Sequence, residues 1–464
     1  MFGLYHYIAL ALFAGFVLLE LAAQARPLPA VARWRLKGAG FTLLYFAAAT
    51  FAPLLWDGWL GAHQLFDGSA LPYGNGRSYG DSCLNPGGTL LHARGLDRFV
   101  AFDRDTGVLT CEAGVLLSEI LALVVPHGWF LPVTPGTQLV TVGGAIANDV
   151  HGKNHRSAGS FGDHVRAFEL LRSDGTRRTC VPGDPWFAAT VGGLGLTGVV
   201  VHATLQLRRI AGPWLDTERR RFFALADYFR LVGDSADWEY TVAWIDCLAG
   251  GDALGRGLFH RGVHAPDAGA PAPAPKRRPG LPLTPPVSLV NGLSLRAFNA
   301  LHWRRGADTV AAREHYTPFF HPLDGIADWN RMYGPRGFLQ YQCVVPPAVA
   351  RDAVADLLRA ISAAKLGSFL AVLKPFGARA PAGLLSFPRE GTTLALDFPN
   401  GGAALPALLE RLDAIVAEAG GAIYPAKDAR WPGHRFRAAY PRWSAFSAYV
   451  DPKFSSGFWR RAME

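Results

Sequence analysis

Residues 135–164 contain six glycines among threonine, serine, asparagine and histidine residues, with almost no long apolar run. Glycine lets backbone N–H groups approach a ligand closely, and it adopts the positive φ angles that other residues resist. Backbone N–H groups gathered in this way bind phosphate oxygens. A stretch of this composition inside an apolar chain therefore predicts a surface shaped around a large cofactor that carries phosphate.

A second glycine-rich turn, GNGRSYGD at residues 74–81, places Arg77, Ser78 and Tyr79 at its centre. Alone, such a turn is ordinary. Paired with residues 135–164, it would hold a pyrophosphate from the opposite side. Backbone amides would provide most of that binding.

Four polar side chains further along the chain are candidates for a pocket. Lys374 and Lys427 each follow a predicted apolar strand, whereas Gln340 and Gln342 alternate along one strand and so share a face. A lone lysine is usually a solvated surface group, and a glutamine pair suits a solvent-facing strand edge. The residues alone leave both interpretations open.

Other motifs predict no site. GLGLTG at residues 193–198 matches GxGxxG, but a strand-like segment follows it where a dinucleotide-binding fold needs a helix. His151 and His155 have a spacing that joins two metal ligands only on a helix, and Gly152 disfavours a helix there. Five cysteines, far apart and without CxxC, indicate neither zinc nor a disulfide framework. We therefore expect no metal, and His151 is either next to a cofactor or bonded to its own loop.

The elements that position these residues are predicted to be mixed. From about residue 70 to 208, short β-rich segments alternate with glycine-rich turns, with one helix at 117–125. Residues 338–427 follow the order β-α-β-β-α-β, which predicts an antiparallel sheet covered by helices. Between these regions, residues 264–286 hold eight prolines and the basic cluster Lys276–Arg278, which is typical of a loop or a disordered insert.

The front of the chain is the most apolar part. Residues 8–19 and 39–56 are apolar, and the basic segment between them contains Arg26, Arg33, Arg35 and Lys37. This arrangement favours a membrane-associated helical hairpin over residues 1–62, with two buried or interfacial helices as the alternative. The net charge of +9 and the pI near 9.4 fit an anionic membrane surface or a phosphorylated substrate. The basic residues do not alternate with aromatic ones in blocks, so no nucleic-acid partner is predicted.

GRSYGD, PGT and TVGGAIANDVHGKNHRSAGSFG together resemble the FAD-binding domain of the vanillyl-alcohol-oxidase superfamily. FHPLDGIADWNRMYGPRGFLQYQ, LKPFG, LDFP and IYPAKDAR extend the resemblance over residues 73–464. The resemblance implies an α+β, two-lobed FAD-binding fold of the PCMH type with an antiparallel-sheet substrate domain. The expected ranges are 63–208 for the FAD-binding domain, 209–424 for the substrate domain and 425–464 for a segment that returns to the flavin lobe.

The resemblance also implies site residues. FAD, held without a covalent bond, would contact the two glycine-rich loops, the His151 segment and two returning residues: Asn75, Gly76, Arg77, Ser78, Tyr79, Gly80, Pro135, Gly136, Thr137, Val142, Gly143, Gly144, Ala147, Asn148, His151, Gly152, Val199, Tyr424 and Lys427. The catalytic set would be Lys427, Tyr79 and His151. The substrate would contact Lys374, Gln340, Gln342, Trp244, Phe320, Trp329 and Thr393.

The activity implied is oxidation of a secondary hydroxyl on a polyprenyl-phosphate-linked sugar to a keto-sugar, with a separate NAD(P)H-dependent short-chain reductase completing an epimerisation at the cell membrane. Three departures from the family pattern are visible. The apolar hairpin replaces a β-α-β segment before GRSYGD, Ala395 replaces a cysteine, and Thr393 replaces an asparagine. A soluble sugar or aldonolactone oxidase and a membrane protein that no longer binds flavin are the competing hypotheses.

Overall fold

Two antiparallel sheets organise the protein, and each has its own apolar core. The computed structural model describes residues 68–270, 279–306 and 308–464. The predicted hairpin at 1–62 lies outside the described residues. Within the described ranges, no helix is long and apolar enough to cross a bilayer.

The strands of the described ranges are β1 Ala70–Tyr73, β2 Thr89–His92, β3 Phe99–Asp103, β4 Val108–Glu112, β5 Trp129–Phe130, β6 Val165–Leu171, β7 Arg177–Cys180, β8 Val199–Gln206, β9 Arg208–Arg209, β10 Trp214–Phe222, β11 Tyr240–Ile245, β12 Gly257–His264, β13 Val310–His315, β14 Phe338–Val345, β15 Val372–Phe376, β16 Gly391–Pro399 and β17 Ala422–Ile423.

The α-helices of the same ranges are α1 Leu117–Val124, α2 Val142–Ala147, α3 His155–Ala158, α4 Pro185–Thr190, α5 Leu225–Gly233, α6 Gly292–Arg305, α7 Tyr316–Phe320, α8 Ala350–Ala364, α9 Ala404–Glu418, α10 Gly433–Ala439, α11 Trp443–Ser447 and α12 Gly457–Met463.

The first sheet has five strands in the order β3-β4-β8-β6-β7, all antiparallel. Its core includes Leu109, Phe168 and Leu205, together with residues of α1 and α2. Glycine-rich loops leave this core toward one side, and they carry the residues predicted to bind the cofactor. The segment after GLGLTG is strand β8, as the sequence predicted, so a dinucleotide-binding helix does not follow that motif.

The second sheet has eight antiparallel strands in the order β13-β10-β12-β11-β15-β16-β14-β17. Its side chains alternate between two faces, because successive residues of a strand point to opposite sides. Ala243, Leu373 and Leu394 pack with α5, α8 and α9 in the larger core. Trp244, Lys374 and Gln342 point to the opposite face. The predicted antiparallel sheet covered by helices is confirmed, and that second face is free to form a site.

Two smaller features join the ends of the chain. Strands β1 and β2 form a parallel pair, and the amide of Ala70 donates to the carbonyl of Lys453 at 2.7 Å. Tyr424 follows β17, and the chain then passes Gly80, where a Cβ would lie 1.9 Å from the carbonyl oxygen of Asp428. Only glycine permits this close approach between the GRSYGD turn and the C-terminal segment.

Candidate active site

A single cavity of about 780 Å³ lies between the glycine-rich loops and the second face of the eight-stranded sheet. This volume is near the upper end of the range for ligand pockets, roughly 300–1,000 Å³. Its walls come from residues between 72 and 427. The cavity has a loop end, a middle around His151, and a sheet end.

The two glycine-rich loops form the loop end and are tied together. The side-chain amide of Asn75 donates to the carbonyl of Leu139 at 2.8 Å. Gly76 has φ +60°, a conformation that favours glycine. The amide of Gln138 donates to the buried carboxylate of Asp324 at 2.8 Å, which fixes the second loop to the HPLD segment.

Several backbone amides in these loops have no protein acceptor. Among the described residues, no atom accepts a hydrogen bond from the amides of Gly76, Arg77, Ser78, Gly136 or Thr137. A Cβ built on Gly136 meets no heavy atom within 4 Å, so its backbone faces open cavity. Free amides at a glycine-lined surface fit the phosphates of a dinucleotide cofactor. The two glycine-rich loops therefore fit FAD.

The middle of the cavity is formed by the HGKNH segment. Asp149 is fully buried with φ 40°, and its carboxylate accepts from the amide of Gly162 at 2.9 Å and from the hydroxyl of Ser386 at 2.6 Å. Burial raises the pKa of Asp149 to about 6. These bonds hold the following residue pair, Val150 and His151, against the second sheet.

Both ring nitrogens of His151 have partners. Nδ1 lies 3.2 Å from Nζ of Lys374, and Nε2 lies 3.0 Å from the side-chain amide nitrogen of Gln342. Burial, and then the charge of Lys374, holds the pKa of His151 well below its usual range. The imidazole is therefore neutral, so one of its ring nitrogens is an N–H donor and the other is an acceptor. A neutral His151 does not supply a positive charge to the cavity.

Three lysines follow one another along the cavity: Lys427, Lys374 and Lys153. Nζ of Lys427 donates to the carbonyl of Arg77 at 3.2 Å and lies 4.1 Å above the Tyr79 ring. Burial, and then the charge of Lys427, lowers the pKa of Lys374 to about 8. Burial, and then the charge of Lys374, lowers the pKa of Lys153 to about 7. A row of half-buried cations with mutual repulsion is suited to an anionic ligand.

Lys427 also has an acidic neighbour. Burial lowers its pKa to about 8, and the negative charge of Asp397 opposes this decrease. Asp397 is fully buried, accepts a hydrogen bond from Gln340, and keeps one carboxylate oxygen without a partner among the described residues. Burial raises the pKa of Asp397 to about 6. Burial, and then the negative charge of Asp397, raises the pKa of Tyr79 to about 12. At neutral pH, Asp397 is ionised and Tyr79 is not.

The sheet end contains residues that the sequence analysis missed: Lys153, Arg219, His260 and His302. Nζ of Lys153 donates to the carbonyl of Phe319 and lies 4.5 Å above that ring. Arg219 and His260 are direct partners in the β10–β12 register. Lys153 could have been found from the sequence, because it stands inside the HGKNH motif. Arg219 and His260 could not, since only strand pairing brings them together.

The structure brings most of the predicted residues to this one cavity. Its lining includes Asn75, Gly76, Arg77, Ser78, Tyr79, Pro135, Gly136, Thr137, Gly143, Gly144, Ala147, Asn148, His151, Gly152, Val199, Trp244, Phe320, Trp329, Gln340, Gln342, Lys374, Tyr424 and Lys427.

Three predicted residues do not line it. Gly80 packs against the backbone of Asp428. Val142 is fully buried in the core of the five-stranded sheet. Thr393 is buried behind Gln342, whose amide donates to its hydroxyl at 3.2 Å. These residues can shape the cavity only through their neighbours.

The described ranges contain no group of three or more His, Cys, Asp or Glu side chains that could hold a metal. The five cysteines are free, and four of them are buried. His155 does not converge with His151 on a ligand, because its Nδ1 accepts from the amide of Gly377 at 3.1 Å.

Comparison with known proteins agrees with this geometry. A family model described as an FAD binding domain matches residues 67–181, a range that includes both glycine-rich loops. The chain is 38% identical over 415 residues to decaprenylphosphoryl-β-D-ribose oxidase of Mycolicibacterium smegmatis, covering 84% of this chain and 88% of that protein. It is 40% identical over 372 residues to an uncharacterized protein of Streptomyces coelicolor, covering 75% of this chain and 99% of that protein.

A more distant match is limited to part of the chain. L-gulonolactone oxidase of Mus musculus is 32% identical over 137 residues, which is 29% of this chain and 30% of that enzyme. The two long matches, by contrast, cover 84% and 75% of this chain.

Proposed function

The chain belongs to the family of FAD-dependent oxidoreductases acting on CH–OH groups that includes decaprenylphosphoryl-β-D-ribose oxidase, and we propose that it oxidises a secondary hydroxyl of a sugar carried on a polyprenyl phosphate. The observation that supports this substrate class is the row of three lysines along one cavity. A free neutral sugar would bring no negative charge to Lys374 and Lys153. A sugar joined to a lipid phosphate provides one.

The oxidation breaks the carbinol C–H and O–H bonds and forms a carbonyl. When bound, FAD supplies the hydride acceptor. Gln340 and Gln342 share one face of β14 and would hold sugar hydroxyls, while Trp244 and Trp329 would form an apolar wall. Lys374 and Lys153 would bind the phosphate.

We assign Lys427 a cationic role in this reaction. Both of its contacts favour the ammonium form, since a carbonyl oxygen accepts its hydrogen and the face of an aromatic ring lies below it. A fixed positive charge stabilises negative charge that develops beside it in the transition state. The hydroxyl proton would then pass to water in the cavity. Tyr79 would keep Lys427 in place.

The decisive experiment is anaerobic bleaching of the purified yellow protein. We expect polyprenyl-phosphate ribose to bleach the flavin, and we expect free sugars and aldonolactones to bleach it far more slowly. Equal rates with a free sugar or lactone would favour the soluble-oxidase hypothesis. A colourless protein that cannot be reconstituted with FAD would end the proposal altogether.

Two finer points belong to the same proposal. The keto-sugar product would pass to an NAD(P)H-dependent short-chain reductase, whose hydride delivery to the opposite face would complete an epimerisation. The enzyme would work at the cell membrane, where its substrate is anchored. Product analysis with and without such a reductase tests the first point, and cell fractionation tests the second.

A further inference from the structure

An exposed apolar surface lies on the outer side of helix α6 and the segment before it. Six of the fourteen large hydrophobic side chains that are exposed in the described ranges fall within residues 283–301. Leu293 is 81% exposed, Leu283 77% and Val287 69%. Such a concentration in one short segment marks an interaction surface, because single exposed apolar residues are normally scattered.

Helix geometry places the apolar residues in one stripe. Leu293, Ala297 and Leu301 follow at i, i+4 and i+8 and are all exposed, whereas Leu295 and Asn299 on the other side are buried. Asn291 caps the helix by accepting from the amides of Leu293 and Ser294. The stripe is therefore held outward on a fixed helix.

The inner side of this segment is anchored. Val290 and Leu295 pack with Tyr333 in a small buried cluster. The amide of Leu289 donates to the carbonyl of Met332 at 2.8 Å, and Gly280 pairs with Ala327 as an isolated bridge. The exposed side chains are thus not an unfolded tail.

The charge of the segment has one sign. Residues 279–306 contain no Asp or Glu, and they include the exposed residues Arg296, Arg304 and Arg305. No carboxylate of the described ranges lies within ion-pair distance of these three arginines. The exposed side of α6 therefore mixes apolar residues with these arginines: Arg296 is at i+3 from Leu293, and Arg304 is at i+3 from Leu301. Such a surface complements an anionic bilayer through its positive charge as well as through its apolar side chains.

The surface adjoins the cavity. His302 of α6 lines the cavity and packs edge-on against Trp244 at 4.6 Å. Ala327, which is bridged to Gly280, and Trp329, which packs against the cluster of Val290 and Leu295, also line the cavity. A lipid chain that leaves the sugar pocket beside these residues would emerge at this surface.

We propose that this face, consisting of Leu283, Val287, Leu293, Leu301, Arg296, Arg304 and Arg305 and called here the α6 face, docks on an anionic lipid bilayer. The link between this docking and a lipid-borne substrate rests on the proposed function. Docking would place the cavity entrance at the headgroup level, so that the polyprenyl chain stays in the membrane while the sugar is oxidised.

The test uses the full chain with an environment-sensitive dye on Leu301→Cys, compared with Val100→Cys, which is 62% exposed on strand β3. The parent protein, labelled in the same way, gives the background from its own cysteines. With vesicles of phosphatidylcholine and phosphatidylglycerol, we expect a blue shift and quenching by brominated lipid at position 301 alone. Equal responses at the two positions, or none at position 301, would overturn the proposal.

A second measurement removes the surface. Leu293→Asp combined with Leu301→Asp should weaken partitioning onto the anionic vesicles about tenfold or more, and Val100→Asp should not. A change smaller than about twofold would contradict a docking role. If the wild-type protein is instead a dimer that the double variant dissociates, the face is covered by a second copy and the bilayer proposal is wrong.

The outcome is separable from that of the proposed function. Vesicle binding is measured without turnover, and flavin bleaching can be measured with detergent-solubilised substrate. If the protein binds vesicles but its flavin is not bleached, only the proposed substrate is wrong. Intact bleaching without docking would remove the α6 face only.

Discussion

The loop end of the cavity is built from main-chain groups that are close in sequence, whereas the sheet end is built from side chains on distant strands. Gly76 and Gly136 present backbone amides, unpaired within the described ranges, to the cavity without using a side chain. Lys153, Arg219 and His260 meet only after β10 and β12 have paired and the HGKNH segment has been fixed by Asp149. We therefore expect substitutions at the two ends to have different effects. Those at the loop end should act by changing the shape of the backbone, and those at the sheet end by removing charge.

Blocking the loop end should have the largest effect. In Gly136→Val the new side chain meets no protein atom near its Cβ, so it enters the space assigned to FAD. We expect FAD affinity to fall by about 100-fold or more and the protein to be purified nearly colourless, with a melting temperature close to that of wild-type protein stripped of flavin, because bound FAD itself stabilises the fold. Flavin absorbance and a melting curve measure the two quantities.

The matched control is Gly95→Val. That glycine also has open space around its Cβ, but it does not line the cavity. It should retain flavin. Loss of flavin in both variants, or retention in both, would show that the loop end does not hold FAD through close backbone approach.

Removing the charge at the boundary of the two ends should have the next largest effect. Lys427→Met keeps the length of the side chain and loses the ammonium group, so FAD should still bind while the bleaching rate falls about 100-fold. Stopped-flow absorbance measures the rate. Lys365→Met, at an exposed lysine after helix α8, is the control. A normal bleaching rate in Lys427→Met would refute the assigned role.

The sequence located the loop end better than the sheet end for the same physical reason. Consecutive glycines are a local signal, and so is the period of an amphipathic helix; the helix predicted at 117–125 is Leu117–Val124. Lys374 and Lys427 were identified only through family resemblance. Their partners could not be read from spacing, because Nζ of Lys374 meets His151 across 223 positions of sequence.

Strand register explains the remaining differences. Thr393 was expected to contact substrate; it is paired with Lys374 and so shares its sheet face, but it is buried, hydrogen-bonded to Gln342 and not part of the cavity wall. The proline-rich segment 264–286 was expected to be a loop or disordered. Its described residues agree with a loop except at two points, since His264 ends β12 and Gly280 is bridged to Ala327. Both results depend on long-range pairing, which has no local sequence signal.

Weakening the sheet end should have a moderate effect limited to charged substrates. Lys153→Met removes the last cation of the lysine row, so the KM for a phosphate-linked sugar should increase about tenfold while the rate at saturation changes little. The same sugar without phosphate should show no such increase. Steady-state or bleaching titrations with the two substrates make the comparison. An equal loss for both would show that Lys153 acts through structure, not through charge.

The smallest expected effect is a shift in the pH dependence of the bleaching rate, and it tests which protonation state of Lys427 is active. The pKa of Lys427 is about 8, below its ordinary value, so its ammonium form is lost as pH rises through about 8. If the cation is what acts, the bleaching rate falls over that range; if the neutral amine acts as a base, the rate rises instead. A rise would show the amine acting as a base, whereas a fall is also expected from Lys374, whose pKa is likewise about 8, so a second variant is needed to assign the fall to Lys427.

Asp397→Asn sharpens this test. The negative charge of Asp397 raises the pKa of Lys427, so its removal should lower that pKa further and move the fall in rate to lower pH. Because the pKa of Asp397 is itself about 6, the two proteins should differ above that pH and converge below it, where the wild-type carboxylate is already protonated. Near pH 8 we expect a difference of a few-fold. Asp352→Asn, at an exposed carboxylate on helix α8, should leave the profile unchanged. A profile that moves to higher pH in Asp397→Asn would mean that the group titrating is not Lys427, because removing a negative neighbour cannot stabilise a cation.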